Sequence, residues 1–159
     1  MFVRKAEKPD LPAILEIYAH ARDFMAANGN PTQWGSHYPP EDLLWEDIQA
    51  GNLYVVREDS KLRGVFALIP GTDPTYLQID GAWNSERPYG AIHRVAADGS
   101  GGVFGVILDF CCRRMDYLRI DTHEENHPMR RVIEKNGFRY CGTIHTDDGT
   151  PRRAYDFAR

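Results

Sequence analysis

The chain is short of cysteine, of basic charge and of long apolar runs, and each shortage excludes something. Its three cysteines are Cys111, Cys112 and Cys141. An odd number with two adjacent members gives neither a disulfide framework nor CxxC zinc spacing, so they read as reduced thiols of a cytoplasmic protein. No apolar run approaches the roughly 18 residues of a membrane span. The opening MFVRKAEKPD carries no apolar core of a secretory signal. Nineteen Lys and Arg against 23 Asp and Glu give a formal net charge of −4, which supplies no bulk attraction to nucleic acid or anionic lipid. Neither nucleic acid nor membrane is therefore an expected partner. Internal repeats, linkers and low-complexity tracts are also missing. What is present is 159 residues, 42% hydrophobic and 26% charged, the length and composition of one folded domain over residues 1–159.

Hydrophobic spacing supplies the order of elements. Phe2 to Ala6 predicts a first strand, and Leu11, Ile14, Leu15, Tyr18 and Arg22 recur at helical spacing before Asn28-Gly29-Asn30-Pro31 ends the helix. Thr32 to Pro40 is uncharged but holds Gln33, Trp34, His37 and Tyr38, unusually aromatic for a loop. A second helix fits Pro40 to Ala50, with Gly51 as its C-terminal cap. Leu53 to Val56 and Leu62 to Ile69 predict a hairpin around Asp59-Ser60-Lys61, and alternation from Tyr76 predicts a strand to about Trp83. Tyr89 to Ala97 is the next strand. The turn Asp98-Gly99-Ser100-Gly101-Gly102 leads into a helix from Val103 to about Met115. A strand at Tyr117 to Asp121, a helix at Glu125 to Lys135, and strands at Phe138 to His145 and Arg153 to Phe157 complete the chain. This order predicts an α+β (mixed α/β) fold with one parallel β-loop-α-β crossover near its middle.

Strand, glycine-rich loop and helix from Ile92 to Phe110 form the strongest local signal. Consecutive glycines admit positive φ and close backbone approach. The helix start that follows adds unpaired N–H groups and partial positive charge, together a cradle for phosphate or pyrophosphate. The loop lacks the GK[ST] of a nucleoside triphosphatase and the clean GxGxxG of a dinucleotide fold. A second signal is Asn126-His127-Pro128-Met129-Arg130-Arg131-Val132-Ile133-Glu134-Lys135-Asn136-Gly137-Phe138. With the loop upstream and the element order, this segment resembles the closing half of the GNAT family of N-acetyltransferases, with Asn126, Val132, Glu134, Lys135, Gly137 and Phe138 in register.

The resemblance implies a mostly antiparallel central sheet with helices on both faces. It implies acetyl-CoA (coenzyme A) as co-substrate, no metal, and direct transfer of the acetyl group to a primary amine of a small molecule or peptide. It also allows a homodimer. Cofactor contacts fall to Val95, Ala97, Gly99, Ser100, Gly101, Gly102, Val103, Phe104, Asn126 and Arg130. Four positions depart from the family pattern, one being Met129, where the family has a small residue three after the Asn. The loop begins with Gly99, where the family has Gln or Arg, and closes with Phe104, where it has a small residue. Ile133 stands where a Tyr often protonates the leaving thiolate. The alternative that Gly99 and Ile133 favour is a coenzyme A-binding sensor or interaction module without catalytic activity.

Amine acylation needs a base, and the candidates are few. His93 lies on the strand before the loop; strict alternation places it on one face with Val95 and Arg94 on the other. Asp121, His123 and Glu124 end the neighbouring strand, an acidic turn suited to a cationic amine. Gln33, Trp34 and Trp83 are candidate acceptor-pocket residues, with Tyr89 beside them, and Tyr140 is a candidate replacement acid. Cys111 and Cys112 read as core residues of the helix after the loop.

Overall fold

The computed structural model describes residues 1–159. Its eight strands are β1 (Phe2–Lys5), β2 (Leu53–Glu58), β3 (Lys61–Pro70), β4 (Asp80–Gly81), β5 (Gly90–Ala97), β6 (Tyr117–Thr122), β7 (Arg139–His145) and β8 (Pro151–Ala158). They form one sheet in the order β1-β2-β3-β5-β6-β8-β7-β4. Every neighbouring pair is antiparallel except β5 and β6. The expected α+β class, with its single parallel crossover, is the fold observed. Helices α1 (Leu11–Ala27) and α2 (Glu41–Gln49) cover one face, and α3 (Val103–Cys112) and α4 (His127–Lys135) the other. No helix is long and apolar enough to cross a membrane.

The continuous apolar run of β2 is explained by burial on both faces. Tyr54 and Val56 enter the cluster with Val103, Ile107 and Ile133, while Leu53 and Val55 enter the cluster with Ile14, Tyr18 and Leu44. A third cluster, of Tyr76, Tyr89, Ala91, Tyr117, Ile144 and Ala154, is roofed by the 71–89 connection rather than by a helix.

That connection corrects the expected strand from Tyr76 to Trp83. Pro74–Tyr76 is a 3-10 turn, and only Asp80–Gly81 pairs, with β7. The alternating aromatics serve packing, not a pleat. Tyr76 is buried against Trp83 and Tyr89, with ring centroids 5.1 and 6.1 Å away. The Trp83 indole donates to the Tyr76 carbonyl at 3.1 Å. The Arg119 guanidinium lies 4.1 Å from both the Trp83 and Tyr89 rings. Elsewhere the boundaries move little: α3 stops at Cys112, and α4 begins at His127 behind Asn126, whose side chain accepts from the Met129 N–H.

Two irregularities of β5 position everything that follows. First, it pairs with β6 only from Gly90 to Ile92, opposite Leu118 to Ile120. Beyond that the strands part. Second, Ala67 faces His93 while Val65 faces Ala96, so β5 carries one extra residue, and Arg94 sits at φ +53°. This bulge overturns the expected alternation. His93 and Arg94 both project to the α1/α2 side, toward Asp73 and Asp47. Val95 and Ala97 pack with the α3/α4 cluster, and Ala96 with the α1/α2 cluster. Tyr18 of α1 donates to the Arg94 carbonyl at 2.7 Å, and Asp47 of α2 takes the Arg94 guanidinium through two bonds of 2.8 and 2.9 Å.

Both members of that ion pair are about nine-tenths buried. Removing one leaves an uncompensated buried charge. Asp47→Ala is expected to destabilise the fold by about 3–5 kcal/mol, measured by urea unfolding at neutral pH.

Candidate active site

The parting of β5 from β6 opens a cleft of about 1350 Å³ that reaches from the glycine loop to the 71–75 and 146–148 segments. His93, Val95, Ala97, Asp121, Asn126, Gln33 and Trp34 all line it, as do Gly99, Gly101, Gly102, Val103 and Phe104.

At the loop end, Gly99, Gly101 and Gly102 have φ of +86°, +85° and +75°, a region other residues enter at a cost. The turn is pinned from one side. Asp98 accepts from the Ser100 N–H and hydroxyl at 3.0 and 2.6 Å, and from Arg63 at 3.0 Å. Ser100 is thus turned away from the cleft. The N–H groups of Gly101, Gly102, Val103, Phe104 and Gly105 have no acceptor within the protein, because α3 starts at Val103 and no turn precedes it. A Cβ at Gly101 or Gly105 would meet nothing within 4 Å, so the cradle is open. The bulk of Phe104 goes into the core against Phe138, with ring centroids 6.2 Å apart. His20 of α1 stands beside the loop, its Nε2 3.9 Å from where a Cβ on Gly99 would be. Lys135, at the end of α4, lines the same cleft.

At the other end, His93 Nε2 lies 2.6 Å from Asp73 Oδ2. Asp73 is fixed in turn by the Thr75 N–H at 3.0 Å and the Thr75 hydroxyl at 2.7 Å, and its own N–H donates to the Tyr89 hydroxyl at 2.7 Å. Burial works to raise the Asp73 pKa, but the bonds from His93 and Thr75 overcome it and hold the carboxyl down at about 2. Asp73 is therefore an acceptor only at neutral pH. Nε2 must carry the proton between them, which leaves the lone pair of a neutral His93 on Nδ1. Asp121 accepts from the Tyr76 hydroxyl at 2.6 Å and lies 3.8 Å from Arg152. Burial, reinforced by Asp121, pushes the Tyr76 hydroxyl well above its usual pKa.

The aromatic loop between α1 and α2 closes one side. Gln33 Oε1 accepts from Asn30 at 2.9 Å and from Asn126 at 3.0 Å, which ties this loop to the start of α4. Trp34 packs between Tyr18 and Tyr38, with centroids 5.6 and 6.0 Å away.

Other candidates lie outside the cleft. Trp83 is part of the Arg119 stack described above. β6 ends at Thr122, so His123 falls in a turn where its Nδ1 accepts from the Glu125 N–H at 3.0 Å; burial, then Arg152, lowers its pKa. Glu124 is bound 3.3 Å from both Arg130 and Arg153, and Arg130 is thereby directed to Glu124. Tyr140 is exposed and meets the Tyr155 ring edge-to-face, with centroids 5.8 Å apart. Ile133 is fully buried in the α3/α4 core, with no face to the cleft. Burial raises the Cys111 thiol to about 12, which removes it as a nucleophile. Two cleft residues that matter here escaped the sequence reading, Asp73 and Arg152, as did the role of the buried Tyr76 behind Asp121. Asp73-Pro74-Thr75 carried only a turn signal, and nothing local distinguishes Arg152 from a solvated strand residue.

No family model and no curated protein sequence matches the chain. Solved structures do. An acetyltransferase of the GNAT family from Streptococcus agalactiae 2603 is 29% identical, with a TM-score of 0.90 over 99% of this chain and 94% of that one. A GNAT-family acetyltransferase from Listeria monocytogenes 4b F2365 is 18% identical, with a TM-score of 0.71 over 99% of this chain and 94% of that one. The yncA protein of Salmonella typhimurium, solved with its cofactor acetyl-CoA, is 17% identical, with a TM-score of 0.61 over 98% of this chain and 92% of that one. The chain has the fold of the GNAT acetyltransferases over its whole length, as the two sequence motifs implied.

Asp73 also sets an acid response. A carboxyl held from about 3.8 unfolded to about 2 folded adds stability that is complete above pH 4 and is lost as pH falls toward 2. Asp73→Asn is expected to flatten the loss of thermal stability across that window, read by melting temperature at pH 2.5 to 5.

Proposed function

We propose that this single domain is a cytoplasmic N-acetyltransferase that moves the acetyl group of acetyl-CoA directly to a primary amine. One observation carries the reading: a cradle of unpaired N–H groups and a His–Asp pair face the same cleft from opposite ends. The loop N–H groups, beside the α3 N-terminus, suit a pyrophosphate. Lys135 and the His20 imidazole are the basic side chains near it, and His20 stands close to where the family's loop has a basic side chain. The edge of β5 beyond Ile92, free of a β6 partner, suits an extended amide-bearing arm such as pantetheine. A backbone N–H near Val95, past the bulge, is the candidate donor to the thioester oxygen.

The residues then act as follows. A free alkylamine holds its proton to a pKa near 10.4, so it must be deprotonated to attack. His93 takes that proton on Nδ1. Asp73 keeps the imidazole in the competent tautomer and stabilises the imidazolium. The amine nitrogen forms a bond to the carbonyl carbon, the carbon–sulfur bond breaks, and the sulfur leaves as thiolate. Burial of Ile133 leaves no side-chain acid at the family's position, and a thiol with a pKa near 8.5 needs none.

Calorimetric titration with coenzyme A and acetyl-CoA tests the cradle. Wild type is expected to bind both, and Gly102→Asp, which places charge and a strained φ in the cradle, to bind at least about tenfold more weakly. No binding by the folded wild type would sink the reading. Binding without turnover of any amine would favour the sensor alternative.

For the base, His93→Ala is expected to lower kcat by about 10²–10⁴ while acetyl-CoA affinity holds. Asp73→Asn, which keeps the side-chain size, is expected to lower kcat while KM and acetyl-CoA affinity hold, a split that a merely structural role for Asp73 would not give.

A further inference from the structure

We infer that the acceptor is a free α-amino acid, its ammonium received by Asp121 and its carboxylate by Arg152. The inference rests on the acetyltransferase reading and names the substrate of that site.

The register places the charges. Ile92 pairs with Ile120, and Asp121 with Ala154. His93, Asp121 and Arg152 therefore follow one another across the same face of β5, β6 and β8, at the point where the sheet opens. All three line the cleft. Asp121 and Arg152 side chains are only 10% and 14% exposed. At 3.8 Å their nearest atoms are beyond hydrogen-bond range. Asp121 spends one oxygen on the Tyr76 hydroxyl at 2.6 Å, while Oδ1 has only the distant Arg152. Arg152 spends one Nη on the Gln33 carbonyl at a long 3.3 Å, and its buried Nε has no partner.

A guanidinium that is largely out of water and underused is costly unless something completes it. Apart from Asp121 at 3.8 Å, no carboxylate of the protein does so. Glu124 pairs with Arg130 and Arg153, and Asp148 is engaged by Thr146 and Thr150. Opposite charges held side by side but unbonded fit a ligand that carries both signs on neighbouring atoms. An ammonium at Asp121 Oδ1 stands next to His93, which must receive its proton. A carboxylate one carbon away lies toward the planar guanidinium, whose fork suits it. A polyamine or a peptide N-terminus offers no anion there, so the Arg152 guanidinium would keep only Asp121 at 3.8 Å and its unpartnered Nε.

The test is release of coenzyme A from acetyl-CoA with the twenty L-amino acids, each compared where it exists with its amine lacking the carboxylate and with its amide. Phenylalanine, phenethylamine and phenylalaninamide form one such set. For at least one amino acid, kcat/KM is expected to exceed that of the amine and the amide by about 10- to 100-fold, mainly through KM. In Arg152→Gln that ratio is expected to fall to near one, and in Arg152→Lys to an intermediate value; acetyl-CoA affinity reports that each variant is folded. Should Arg152→Gln fail to fold, the wild-type ratios and Arg152→Lys decide. Amines or amides accepted as well as amino acids, or a ratio unchanged in the variants, would overturn the assignment. So would acetyl-CoA binding with no amino acid turned over. Failure of the wild type to bind acetyl-CoA would instead remove the acetyltransferase reading itself.

Discussion

The parting of β5 from β6 after one short stretch of parallel pairing is the constraint on which the site depends. A continuous sheet would bury those backbone edges against each other and leave no cleft. The bulge at Arg94 lies just beyond the last paired residue, where a strand can change course. It is held by contacts from a different element on each side: the Tyr18 hydroxyl on the carbonyl and Asp47 on the guanidinium. Left-handed backbone at a long side chain costs about 1–2 kcal/mol. The ion pair holds the bulge because opening it would strand a buried charge on either side, whatever the pair adds net of desolvation. The same turn of the chain aims His93 into the opening and then delivers the strand to the glycine loop.

The two ends of the cleft are supported by different means. The loop end is backbone: glycines in positive φ, Asp98 as the anchor, and a helix start that leaves its first N–H groups free. The other end is side chain, delivered by the 71–89 connection, and such a segment needs fastening. Arg119, buried between Trp83 and Tyr89, donates to the Ser85 carbonyl at 2.8 Å. Asp156, fully buried, accepts from the Asn84 N–H, the Asn84 side chain and the Tyr117 hydroxyl at 2.8, 2.9 and 2.7 Å. Burial works against the Asp156 charge, yet those bonds hold its pKa below the ordinary value. These charges sit outside the cleft, and their effect on it is positional: with the connection held flat on β6 and β8, Asp73 is fixed 2.6 Å from His93.

How legible this was in the sequence follows the range of the interaction. The four helices and the β2–β3 hairpin were readable because side-chain period alone decides them. The loop was readable because three glycines in four residues leave little else; Asn126 stood out only through the family motif, and its capping role was missed because the expected helix begins at Glu125. The bulge was not readable. Nothing in His93-Arg94-Val95 differs from an alternating strand, and the partners that shift it are 47 and 76 positions away. The false strand at Tyr76 to Trp83 has the same origin, since aromatics that pack on one another across a turn imitate a pleat. Asp73 and Arg152 were invisible for a plainer reason. Their meaning lies in what stands opposite them, and those partners belong to other strands.

For the proposed transfer, magnitudes account for side chains being needed on only one side of the reaction. At pH 7 an alkylamine lies about 3.4 units below its pKa, so presenting it neutral costs roughly 4.6 kcal/mol. A thiolate lies about 1.5 units below the pKa of its thiol, and leaving it unprotonated costs only about 2 kcal/mol. A base therefore has more than twice as much to contribute as an acid. The chain places a histidine, an aspartate and two bonds from Thr75 at the end of the cleft proposed to take the amine. At the position where the family often has a tyrosine it buries Ile133 in the core. There the isoleucine contributes to packing against α3 and the sheet, a role a hydroxyl could fill only with a hydrogen-bond partner of its own.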